Sequence, residues 1–174
     1  MSDPFEDPHL SLTQKENKDR EEINIFIRFC KASHLPVVQG TAVHQKEPLL
    51  DIRCDLEAEG SVEFELMRQD NEQFLKDTRG DRKVAGSMRT SLFTSSLHRH
   101  MHKDSPSSLP KEFLIYILDQ PIDFKGEYRE WLREYFERHI ESSIYRRAWF
   151  FNSWDKDYFQ VRDEKKLQGH NNQV

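Results

Sequence analysis

Glu47-Pro-Leu-Leu-Asp-Ile-Arg-Cys-Asp-Leu-Glu-Ala-Glu-Gly-Ser-Val-Glu-Phe-Glu-Leu-Met67 reads as two β-strands joined by a turn. Side chains alternate across a strand, so a first strand over Leu49 to Leu56 puts Leu50, Ile52 and Cys54 on one face and Asp51 and Arg53 on the other. Glu57 to Ser61, with Gly60, makes the turn. A second strand over Val62 to Met67 puts Val62, Phe64 and Leu66 on one face and Glu63, Glu65 and Met67 on the other. Neighbouring strands lie about 4.8 Å apart, so Asp51 and Glu65 can converge on one cation. The same alternation also suits a plain antiparallel edge, where Asp51 only starts a strand and Glu63 and Glu65 face solvent.

Upstream of the hairpin, Ile23, Phe26, Ile27 and Cys30 recur at helical spacing and predict a helix over Asp19 to Lys31. Its Glu21 and Glu22 sit in the first turn, where the macrodipole favours them. Met1 to Lys18 is polar, with Pro4 and Pro8, and reads as a flexible arm. Leu35 to Ala42 reads as a strand leading into the hairpin.

Downstream, Arg68 to Ser91 is a long polar segment rich in Lys and Arg, either a functional loop or a solvated one whose Asp70, Glu72, Asp77 and Asp81 offset the positive charge. Ser91 to Lys103 predicts a second helix with Phe93, Leu97 and Met101 as its buried stripe. Within its run His98-Arg-His-Met-His-Lys103, His98 and His102 stand at i and i+4, a spacing that can share a zinc ion. No third ligand stands at suitable spacing and the Glu of a zinc-protease helix is missing, so a basic helix face is the preferred reading. Asp104 to Lys111 is a loop, and Phe113 to Leu118 is an apolar run typical of a strand buried on both faces. A turn at Gln120 to Gly126 leads into a helix over Glu127 to Ser142, striped by Trp131, Leu132, Tyr135, Phe136 and Ile140. Strands at Tyr145 to Phe151 and Tyr158 to Val161 follow, then a polar tail.

The chain's 174 residues suit one domain with a real core. A net charge of -5 gives no global basic signature for nucleic acid. Cys30 and Cys54 fall in apolar patterns and read as reduced core residues. No apolar run has the length of a signal peptide or a membrane span, so a cytoplasmic address is expected. Gly-x-Ser-x-Gly and phosphate-loop motifs are absent from the sequence.

The element order is helix, three strands, helix, strand, helix, two strands. That order, with Pro48-Leu-Leu-Asp51 and Glu65-Leu-Met67, resembles the PD-(D/E)XK superfamily, the restriction-endonuclease-like fold, whose motif is an acid on one strand and acid-x-Lys on the next. The resemblance implies an α/β fold: an αβββαβ core, a mixed central sheet flanked by helices, and an extra C-terminal helix and strands. The domain would span residues 19–162, between an arm (1–18) and a tail (163–174). It also implies a metal-dependent nuclease, an endodeoxyribonuclease that hydrolyses phosphodiester bonds in DNA with Mg²⁺ or Mn²⁺ held by Asp51 and Glu65. Glu22 of the first helix would reach the site, with Glu21 as the alternative. Met67 stands where the motif has Lys; Lys103 is the first candidate to supply the missing cation and Arg68 the second. Arg68, Arg79, Arg82, Lys83, Arg99 and Lys103 would contact nucleic acid. The alternative is a catalytically degenerate fold that binds a nucleic acid or a protein partner. No membrane partner is expected, and a homodimer is left open.

Overall fold

In the computed structural model, which describes residues 8–69, 95–118 and 127–171, the quoted stretch folds into an antiparallel hairpin inside a larger sheet. The chain runs α1 (Pro8–Ser33), β1 (Val43–His44), β2 (Ile52–Leu56), β3 (Gly60–Gln69), α2 (residues 95–101), β4 (Lys111–Ile117), α3 (Glu127–His139), β5 (Arg147–Asn152), β6 (Tyr158–Arg162) and α4 (Glu164–Asn171). Gly60 enters β3 with φ at +77°, a left-handed value that a Cβ would oppose.

The six strands lie in sequence order, β1-β2-β3-β4-β5-β6. β3, β4 and β5 are parallel to one another, and the remaining pairs are antiparallel. Parallel neighbours need a crossover, and here α2 and α3 lie within the two connections. The protein is therefore a mixed α/β fold with a six-stranded, mixed, open sheet and, among the described residues, four helices.

Strand alternation builds two cores. Val62, Phe64 and Leu66 of β3 pack with Ile25, Phe26 and Phe29 of α1. Met67, Phe113, Ile115, Ala148 and Phe150 face the other way, towards Leu97 and Met101 of α2 and Leu132 and Phe136 of α3. The result is helix, sheet, helices, with every residue of β4 buried. At one end of the sheet the fully buried Glu112 carboxylate accepts hydrogen bonds from Arg146 Nε (3.0 Å), Arg147 Nη1 (2.9 Å) and Trp149 Nε1 (2.7 Å), so its charge is compensated and β4 is clamped to β5.

Four local expectations are corrected. α1 begins at Pro8 rather than Asp19. The stretch Gln14-Lys-Glu-Asn-Lys18 has helix-forming side chains but no buried stripe, so propensity extends the helix where periodicity gives no signal. Leu35 to Ala42 is not a continuous strand: Val37 makes one bridge to Leu56, the chain turns at Gly40 (φ +80°), and the pairing strand is Val43–His44. β2 starts at Ile52, so Leu50 lies ahead of the alternation and packs on the face opposite to Ile52 and Cys54. Finally, residues 164–171 form α4. Asp163 caps it, accepting from the amides of Lys165 (3.1 Å) and Lys166 (3.3 Å). Lys166 Nζ also donates to the carbonyls of Ile140, Ser143 and Tyr145.

No described helix is long and apolar enough to cross a membrane. Both cysteines are free thiols; burial pushes Cys54 up to about 12 and Cys30 well above the usual thiol range.

Candidate functional site

Asp51 lies one residue ahead of β2, and because Ile52 opposes Phe64, it stands opposite Glu65 in the next position of the ladder. Its carboxylate bends onto β3, where Oδ2 accepts a 2.8 Å hydrogen bond from the Leu66 amide. Glu65 is 1% exposed and Glu63 equally so, because β3 is an interior strand, so the reading that they face solvent on an edge does not hold.

Glu65 is met from α2. Lys103, just beyond the helix, donates Nζ to both carboxylate oxygens at 3.0 and 2.9 Å. His100 Nδ1 lies 2.8 Å from Oε1. Tyr145 steadies that turn by donating its hydroxyl to the His100 carbonyl at 2.9 Å. The Lys103 amide donates to the His100 carbonyl at 3.3 Å in the turn that follows α2, which brings both side chains to Glu65. The sequence reading paired His98 with His102 instead and missed His100.

Glu22, buried on α1, accepts from His44 Nε2 of β1 at 2.8 Å, and His44 also lies 3.5 Å from Asp19 Oδ1. Asp19, Glu22 and His44 offer donor atoms within 4.8 Å of one another. Sequence reasoning missed His44, whose signal was a lone His on a short strand leading into the hairpin.

Electrostatics ties these groups together. Burial, then the Glu65 charge and more weakly that of Glu22, raises Asp51 from 3.8 to about 6, against the Leu66 amide and Lys103, which lower it. Burial works against the charge on Lys103, but its hydrogen bond to Glu65 and the charges of Glu65 and Asp51 outweigh it and lift it above the usual lysine range. Lys103 is thus an ammonium at neutral pH, suited to hold negative charge and not to act as a base.

A cleft of about 530 Å³ opens between α1, β3 and α2; Asn17, Lys18, Glu22, Arg68, His100 and Tyr116 are among its lining, and Asp51, Glu65 and Lys103 are not. Of the residues chosen from sequence, Lys103 contacts Glu65 and Asp51 stands opposite Glu65, while Glu22 pairs with His44 and reaches Asp51 only through its charge. Arg68 does not point at Glu65; it lies on the α1 side, with Nη1 3.0 Å from Glu21 Oε1. Arg99 is exposed on α2. Arg79, Arg82 and Lys83 lie outside the described residues. Met67 is 6% exposed and packs in the core with Leu97 and Met101. No protein-family model, curated protein or solved structure matches the chain.

Proposed function

We propose that the protein is a metal-dependent phosphodiesterase of restriction-endonuclease-like architecture that cleaves DNA. The observation that carries this reading is the buried Glu65 carboxylate, opposite Asp51 and held by the ammonium of Lys103 and by His100, which lines a cleft that opens to solvent. The element order and the parallel β3-β4 pair after an antiparallel hairpin support the same architecture. The missing motif cation is supplied from α2 rather than from the strand position of Met67.

The donor set fits a hard divalent cation. Asp51 is raised by burial and then by the charge of Glu65, and a like charge of that kind is relieved by a positive ion. Asp51 and Glu65 would hold Mg²⁺ or Mn²⁺ through oxygen ligands. When bound, the ion polarises a phosphate oxygen and makes a bound water more acidic. The chain's own groups do the rest. Lys103 holds charge that develops on the phosphate, and removal of such a group typically costs about 10² to 10³ in rate. His100 positions Glu65 by its hydrogen bond. Lys18 and Arg68, on the cleft wall, offer cations to the DNA backbone.

The test is cleavage of supercoiled, linear and single-stranded DNA with Mg²⁺ or Mn²⁺. We expect cleavage that chelation stops and that Asp51→Ala lowers by about 10² or more. Absence of cleavage with either ion, or cleavage that survives Asp51→Ala and Glu65→Ala together, would overturn the reading. One observation favours a non-catalytic binder instead: Lys103 and His100 already occupy both oxygens of Glu65, so an ion has to displace part of that shell. Duplex binding with no cleavage would select it.

A further inference from the structure

A second cluster of donors lies apart from the acidic cleft, at the seam between α2 and α3. His98 and His102 stand at i and i+4, and α3 ends on His139. Ring centroids are 4.3 Å apart for His98 and His102, 5.8 Å for His98 and His139, and 5.6 Å for His102 and His139. One donor nitrogen from each lies within 4.8 Å of the other two. We propose that His98, His102 and His139 form a site for a zinc-class divalent transition metal, with three imidazole ligands and a fourth position open to water or a further ligand.

The chemistry of the set selects the ion. Three imidazole nitrogens suit zinc, copper or nickel and not magnesium. Zinc–nitrogen bonds of about 2.0 to 2.1 Å in a tetrahedral shell put nitrogens about 3.4 Å apart. The donors therefore need to close by little more than an ångström, and the exposed side chains of His98 and His102 have room to rotate. Tyr135 stacks on His139 at 4.2 Å and brings its hydroxyl within 3.4 Å of His98 Nδ1, the kind of outer contact that orients ligating imidazoles. A plain ion-pair role has no support: the histidine–carboxylate pairs among the described residues belong to His44 and His100.

An ion here ties α2 to α3. Since α2 also carries His100 and leads into Lys103, the loaded site fixes the segment that holds Glu65. The proposal does not depend on nuclease activity, and neither does its test. Tag-free protein stripped with a chelator is titrated with Zn²⁺ in competition with a chromophoric chelator, and with Co²⁺ followed by visible absorption. We expect one zinc ion bound with a Kd below about 10 µM and a four-coordinate cobalt spectrum. His139→Ala should weaken zinc binding by about 100-fold or more and bleach the cobalt bands. His98→Ala, at an exposed position, should do the same and guards against a folding defect in the first variant. Asp19→Asn, which disables the other donor trio, should change nothing. Weaker wild-type binding, unchanged affinity in both histidine variants, or loss of the ion in Asp19→Asn would each overturn the assignment.

Discussion

Asp51 carries its site's chemistry in its proton. Its carboxyl is raised from 3.8 to about 6, first by burial and then by the charge of Glu65. Between those values the folded protein holds a proton that the unfolded chain has released. Stability therefore falls as pH rises through that window and levels off above it, at a full cost of about 3 kcal/mol. Asp51→Asn keeps an oxygen for the Leu66 amide and removes the charge. Urea unfolding at pH 7.5 should show the variant more stable than wild type by up to about 3 kcal/mol, with about 1 kcal/mol of the gain left at pH 4.5 and almost none near pH 3.5. A variant less stable than wild type at pH 7.5 would mean that the carboxylate is compensated better than its burial suggests. Bound Mn²⁺ should reverse the ranking, because wild type then gains an ion that the amide variant cannot hold as well.

At the scale of elements, what was legible followed from which signals are local. The hairpin was readable because alternation at Val62, Phe64 and Leu66 is a two-residue pattern; the α1 stripe was readable only in part, since Ile23, Phe26 and Cys30 face the sheet but Ile27 is exposed and Ile25 and Phe29 are buried instead. The donors from distant segments were not. His139 joins His98 and His102 only because α3 packs beside α2, and His44 meets Glu22 only because β1 pairs with β2. Lys103 was reachable as a candidate because one helix was expected near the hairpin; its companion His100 was hidden inside a histidine run in which spacing favoured another pair. The polar tail concealed α4 because its stability comes from a cap and from Lys166 bonding to the carbonyls after α3 rather than from an apolar stripe. Asp163→Ala should cost about 1 kcal/mol and lower Tm by about 2 to 4 °C. Hydrogen exchange should quicken in residues 164–171 and not in β4; equal quickening in both would show that α4 is coupled to the sheet as a whole.

For the molecule as a whole, a net charge of -5 sits poorly with indiscriminate DNA binding, so any grip on DNA is concentrated where cations line the acidic cleft. If the protein cleaves DNA as proposed, it does so without a Lys at position 67. Met67 fills a core position against Leu97 and Met101, and a Lys there would lose packing and bury its stem, offset in part by the adjacent carboxylates. Lys103 reaches the same Glu65 from the far end of α2 and leaves the core apolar. If it is the working cation, Lys103→Ala should lower metal-dependent cleavage by about 10² to 10³ while circular dichroism stays that of wild type. Met67→Lys in that background should recover part of the rate at some cost in stability. A different pattern marks a degraded site: no cleavage by wild type with Mg²⁺ or Mn²⁺, no effect of Lys103→Ala beyond weaker DNA binding, and cleavage appearing only in Met67→Lys. Full activity in Lys103→Ala would remove Lys103 from the chemistry and leave its bond to Glu65 as an ion pair that only stabilises the fold.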